Sequence, residues 1–248
     1  MKLFEIIDKK YIKPITKYSE ELEGWENILI EENGEKLVSL KNISEKIVIK
    51  PQYYINGIVG AENDCKVRST IANKLIKIVN KLPNGFKLLV WDSFRTVETQ
   101  KALFDNYYDE FEKNTNLKGD LLLEYTKKFV SLPSIDKSKP SPHNTGAAID
   151  LTICDSNENP IDLGTYFDDF SKEAYTRFYE EKLENGEVLT KKEEEILLNR
   201  RILCNLFEEE GFANYPYEIW HKSFGDQMSC KLLNLEKAIY TGIEAEGM

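Results

Sequence analysis

Histidine is nearly absent from this chain: 248 residues contain two, His143 and His221. Cysteine is almost as scarce. Its four copies, Cys65, Cys154, Cys204 and Cys230, are widely spaced and form no C-x-x-C pair, which excludes a thiolate zinc knuckle and a dithiol redox motif. No apolar run approaches the ~18 residues needed to span a bilayer. Residues 1–10 lack both the unbroken apolar stretch and the small-residue cleavage site of a secretory signal. These absences lead us to expect a cytoplasmic chain with reduced cysteines, Cys154 and Cys204 serving as small buried apolar groups. Positive charge is in deficit too. With 33 Lys and Arg against 43 Asp and Glu, the formal charge of −10 argues against nucleic acid and anionic membrane surfaces as partners.

What is present suggests one domain over residues 1–248, long enough to bury a core without disulfides. Residues 1–50 are charged and weakly patterned and read as an N-terminal extension of unknown role, with a core over 51–230. Apolar residues at three- and four-residue intervals predict a helix over 67–82, and further helices are expected over 97–112, 121–130 and 172–183. Thr190 and Glu193 have the spacing of a capping box for a helix that Gly211 ends. Aromatic and β-branched residues with two glycines over 52–60 suggest a strand or a tightly turning loop. The apolar run 86–91 reads as an interior strand, and 148–154 alternates, with Ile149, Leu151 and Ile153 on one face and Asp150, Thr152 and Cys154 on the other. The aromatic content of 218–221 favours another strand. Helices among separated strands, some of them consecutive, predict an α+β fold with a central antiparallel sheet flanked by helices.

Each histidine has a carboxylate at a short spacing: His143 precedes Asp150, and His221 follows Glu218. A single histidine is more often a packing or surface group than a ligand, but the only two in the chain both fall in such settings. His143, Asp150 and His221 make a three-ligand set for one zinc ion with an open fourth position, where bound water becomes a nucleophile at neutral pH. Glu218 is the candidate to move the proton. On a flat strand, residues three apart face opposite sides, so Glu218 and His221 converge only if the segment bends or bulges. Arg95, just past the 86–91 strand, would stabilise a developing oxyanion, hold a substrate carboxylate, or make a structural ion pair.

The segment Ser141-x-His143-x-x-Gly146-x-Ala148-x-Asp150 resembles the S-x-H-x-x-G-x-A-x-D motif, and Glu218-x-Trp220-His221 the E-x-W-H motif, of the zinc D-alanyl-D-alanine dipeptidases of the vancomycin-resistance type. These belong to the Hedgehog-like, D-Ala-D-Ala-peptidase group of metallopeptidases. Trp91-Asp92-x-x-Arg95 and Gly164-x-x-Phe167-Asp168 resemble two further family segments, so the likeness covers most of residues 50–230. It implies a Hedgehog/DD-peptidase-like fold, one zinc ion held by His143, Asp150 and His221, Glu218 as base and Arg95 as stabiliser of the tetrahedral intermediate. Asp168 would hold the free amino group of a small D,D-dipeptide, with Ser141 near its other end and Tyr53 or Tyr54 lining the pocket. The implied reaction is hydrolysis of D-Ala-D-Ala to D-alanine, as in antibiotic resistance and cell-wall turnover. Alternatives are a D,D-carboxypeptidase or endopeptidase acting on peptidoglycan stem peptides, and a zinc-binding domain without catalysis. Ile219 departs from the usual E-W-W-H, and Lys222 stands where an aromatic residue is common; both would alter the pocket walls.

Overall fold

Alternating apolar residues build the central strand of a five-stranded sheet. In chain order its strands are β1 (Ile47–Ile49), β2 (Phe86–Asp92), β3 (Ala148–Asp155), β4 (Ala213–Asn214) and β5 (His221–Ser223). The computed structural model describes residues 2–19 and 21–243. Across the sheet the order is β1-β2-β3-β5-β4. Three of its pairings are antiparallel, as the sequence predicts, and β1 adds a parallel edge strand beside β2. The fold is α+β.

One face of the sheet is the core. Ile149, Leu151 and Ile153 pack there with Ile71, Leu75 and Ile78 of helix Ser69–Lys81 and with Ile202, Leu203 and Leu206 of helix Lys191–Glu209. Residues 3–15 join the same core through Leu3, Ile7, Tyr11 and Ile15, and the Ile15 N–H donates to Glu180 Oε1 at 2.8 Å. All four cysteines are free and buried. The Thr190 capping box forms as expected, with Thr190 and Glu193 bonding each other's backbone N–H. Among the described residues no helix is long and apolar enough to cross a membrane.

Several local expectations are corrected. Residues 66–68 pair with Leu37–Ser39 as a strand, so the helix expected from 67 begins at Ser69. Residues 52–55 form a single helical turn, not a strand; Pro51 opens it at φ −60° and its carbonyl receives the Ile55 N–H. The helix expected over 172–183 is a 3-10 turn at Lys172–Ala174 followed by helix Phe178–Glu184. Residues 218–220 lie in a turn, and strand β5 starts only at His221.

The opposite face of the sheet carries the polar residues of β3, and helix Val97–Asn114 contributes Leu103 and Phe104 to a second apolar cluster with Tyr53 and Val130. A cleft of about 880 Å³ is lined from the sheet by Asp150 and His221 and from that helix by Gln100, Leu103 and Tyr107.

Candidate active site

Register places Asp150 beside His221. The two are direct partners across β3 and β5, so their side chains leave the sheet on the same face. His143 arrives from the 3-10 turn Pro142–Thr145 that precedes β3. Gly146 ends that turn at φ +71°, and a Cβ there would fall 2.4 Å from Leu37 Cδ2, so any side chain there would be strained. The turn returns the chain to the sheet with His143 facing Asp150.

The three side chains meet, all of them buried. His143 Nε2 lies 3.2 Å from His221 Nδ1 and 3.4 Å from Asp150 Oδ2, and His221 Nδ1 lies 3.1 Å from Asp150 Oδ1. Zinc–ligand bonds of ~2.0–2.1 Å at tetrahedral angles put neighbouring ligand atoms about 3.3 Å apart, so the donor set fits such a cation. Its chemistry fits as well: two imidazole nitrogens and a carboxylate, with the His143 ring fixed from behind. The His143 Nδ1–H donates to the Ser93 carbonyl at 2.7 Å, which leaves the Nε2 lone pair aimed at the cluster. Burial opposes charge on Asp150, but His143, His221 and Arg95 together pull its pKa down to about 2, so it is a carboxylate.

Asp92 and Arg95 support this cluster. A bulge between Val90 and Asp92 sets Asp92 opposite Asp150 on the neighbouring strand. Two facing carboxylates would repel, and Arg95 bridges them, Nε to Asp92 Oδ2 at 2.6 Å and Nη2 to Asp150 Oδ2 at 3.1 Å. Its Nη1 donates to Gln100 Oε1 at 3.2 Å. Burial works against the guanidinium charge, yet the Asp92 and Asp150 carboxylates outweigh it and hold Arg95 protonated. The structural ion pair thus forms, and Arg95 still lines the cleft.

Glu218 lies beside the His143–Asp150–His221 cluster, with Oε2 3.9 Å from His221 Nδ1. Burial raises its pKa well above the usual carboxylate range, and the nearby Asp150 and Asp168 charges add to the effect. Ser141 is buried at the cleft wall, and its Oγ has no hydrogen-bond partner among the described residues.

At another part of the cleft stands Asp168, whose φ of +60° is unusual for a residue with a Cβ. Tyr53 Oη donates to its Oδ1 at 3.1 Å and Tyr107 Oη to its Oδ2 at 2.7 Å. Desolvation pushes the Asp168 pKa up to about 7 against those hydrogen bonds. Of the two tyrosines left open by the sequence, Tyr53 is therefore the one at the cleft; Tyr54 is exposed and outside its lining. Sequence reasoning gives no role to Asp92, Gln100 or Tyr107. Asp92 stands inside a quoted motif, and Tyr107 belongs to the stripe Leu103, Phe104, Tyr107, Phe111 at helical spacing, which marks a buried face but not a polar contact.

The chain is similar to known proteins over most of its length. Among curated proteins, a D-alanyl-D-alanine dipeptidase from Synechocystis sp. is 26% identical over 216 residues, covering 81% of this chain and 86% of the relative. Among solved structures, a mutant of the vancomycin-resistance D,D-pentapeptidase VanY from a VanB-type cassette, in complex with Zn(II), matches 85% of this chain and 96% of its own at 14% identity and a TM-score of 0.41. VanYB in complex with D-alanine-D-alanine matches 85% of this chain and 94% of its own at 14% identity and a TM-score of 0.39. The D-Ala-D-Ala dipeptidase family matches residues 33–240. That span takes in every side chain of the cluster and its surroundings, and the chain belongs to the D-Ala-D-Ala dipeptidase family of metallopeptidases.

Proposed function

We propose that this chain is a zinc dipeptidase that hydrolyses D-Ala-D-Ala to two molecules of D-alanine, with one zinc ion held by His143, Asp150 and His221. The observation that carries the reading is the shared cleft: the three-ligand cluster, Glu218 and the Asp168 carboxylate line the same cavity. Zinc, when bound, would polarise a peptide carbonyl, lower the pKa of water to about 7 and, as a positive charge, draw the Glu218 equilibrium back toward the carboxylate.

The chain's own residues supply the rest. Asp168 receives the substrate ammonium and sets the distance from the amino end to the scissile bond. Glu218 takes a proton from the attacking water and returns it to the departing nitrogen as the C–N bond breaks and a C–O bond forms. Arg95 has three of its N–H groups engaged by Asp92, Gln100 and Asp150; its fork carries about five in all, so donors remain for the oxyanion that develops on the carbonyl. Ser141 Oγ, with no hydrogen-bond partner among the described residues, would meet the substrate's carboxyl end.

Purified protein supplied with zinc should release free D-alanine from D-Ala-D-Ala. No release from protein with metal bound would end this reading. A second reading has one observation in its favour: a cleft of about 880 Å³ has more room than two alanines fill. Peptidoglycan stem peptides ending in D-Ala-D-Ala would use that space. N-acetyl-D-Ala-D-Ala separates the two, because a dipeptidase that requires Asp168 to meet a free ammonium should lose this substrate, whereas a carboxypeptidase should keep it.

A further inference from the structure

We propose that Tyr107 is a positioning residue for substrate binding: its phenol fixes the Asp168 carboxylate in the orientation that receives the substrate ammonium. The inference rests on the reading of Asp168 as the amine anchor.

Tyr107 comes from helix Val97–Asn114, which follows the Trp91-Asp92-x-x-Arg95 segment, and it lies outside every motif of the site. Its ring meets Phe170 edge-on with centroids 4.8 Å apart and stacks on Phe111 at 6.2 Å, so aromatic packing fixes where the hydroxyl sits. The hydroxyl donates to Asp168 Oδ2 at 2.7 Å, shorter than the 3.1 Å from Tyr53 to Oδ1. The last torsion of an aspartate is soft, and a single donor would leave its carboxylate plane free to turn. Two donors from separate helices, one on each oxygen, remove that freedom. Each oxygen keeps a second lone pair for an ammonium N–H.

The phenols also oppose a loss of charge. Desolvation and the Asp150 charge favour neutral Asp168, while the Tyr107 hydrogen bond, the Arg95 charge and the Tyr53 hydrogen bond favour the carboxylate. Only the carboxylate can pair with an ammonium. Without the Tyr107 hydroxyl, Asp168 would stay protonated to higher pH and the substrate would lose its anchor at neutral pH.

Tyr107→Phe removes one oxygen and keeps the ring. It should raise KM for D-Ala-D-Ala about tenfold, the usual scale for a hydrogen bond to a charged group, with kcat changed less than twofold. The limb of the KM–pH profile that reports Asp168 should move to higher pH. Calorimetric binding of D-alaninamide, which carries the ammonium but needs no turnover, should weaken in parallel, and binding of N-acetyl-D-alaninamide should not respond. A melting curve matching the parent protein would show that the ring packing survives. Unchanged KM and D-alaninamide affinity would overturn the proposal, as would a fall in kcat alone. Asp168→Asn keeps the two ideas apart. If it leaves D-alaninamide binding intact, the amine-anchor reading fails; if it abolishes binding while Tyr107→Phe does nothing, only the role of Tyr107 fails.

Discussion

Glu218 and His221 are three residues apart, yet their side chains meet, with Glu218 Oε2 3.9 Å from His221 Nδ1. A turn makes this possible: the His221 N–H donates to the Glu218 carbonyl at 3.2 Å, and strand β5 begins only afterwards. The turn is pinned on both sides. Ile219 N–H donates to the Ala174 carbonyl at 2.9 Å, and the fully buried Lys222 donates from Nζ to the Ile219 carbonyl at 2.8 Å. Lys222 thus holds the segment that carries Glu218.

Because Glu218 is beside the three-ligand cluster and not part of it, its loss should separate chemistry from metal binding. Glu218→Gln should lower kcat by about 10²–10⁴-fold, the usual contribution of a general acid–base group. Zinc content, measured by atomic emission on the dialysed protein, should match the parent. Loss of the metal together with activity would show that Glu218 acts as a ligand.

Arg95 bridges Asp92 and Asp150, so removing it should reach further than catalysis. Arg95→Met leaves two buried carboxylates facing each other with fewer partners, which should cost about 3–5 kcal/mol of stability. Arg95→Lys keeps the charge but not the fork, and should recover much of the stability while kcat/KM stays about 10²-fold down. Denaturant melts and initial rates on the pair test this, and equal activity of Arg95→Lys and the parent would contradict it.

Gly146 sets the entry of His143 into the site. Gly146→Ala would place a Cβ 2.4 Å from Leu37 Cδ2 at φ +71°. We expect a loss of roughly 1–3 kcal/mol in stability and a weaker zinc affinity, because the strain falls on the turn that carries a ligand. A chelator competition should read the affinity change.

Asp168 should make stability fall with pH. Its folded-state pKa of about 7 lies above the ordinary 3.8, so the folded protein binds this proton more tightly than the unfolded chain. Between these values the unfolded chain holds fewer protons at this position, and stability declines as pH rises through that window, then levels off above it. The full contribution is at most about 4 kcal/mol, reduced because Asp168 retains some exposure to the cleft. Asp168→Asn should flatten the profile between pH 4 and 7, by roughly that range, and raise stability at pH 8. A variant with the parent's slope would show that Asp168 ionises normally.

The His143–Asp150–His221 cluster was legible because scarcity makes histidines stand out, and because β3 alternates cleanly enough to put Asp150 off the core face. The sheet was legible for the same reason at 86–91 and 148–154, where apolar residues mark strands whose core face must be buried. Other features depend on partners distant in the chain. The 52–55 turn places Tyr53 against Asp168 from more than a hundred residues away, and no local pattern reports that contact. Tyr107 lies within an apolar stripe, and nothing in the stripe says that its hydroxyl finds a carboxylate. The 218–221 segment has the aromatic content of a strand, and only its hydrogen bonds to Ala174 and within itself make it a turn.

The most direct test of the account is zinc titration of the metal-free protein by calorimetry, followed by D-alanine release from D-Ala-D-Ala on the same sample. One equivalent of zinc should bind and restore turnover, and His143→Ala and His221→Ala should each lose both. Turnover that survives complete metal removal, or zinc bound tightly by protein lacking both histidines, would contradict it.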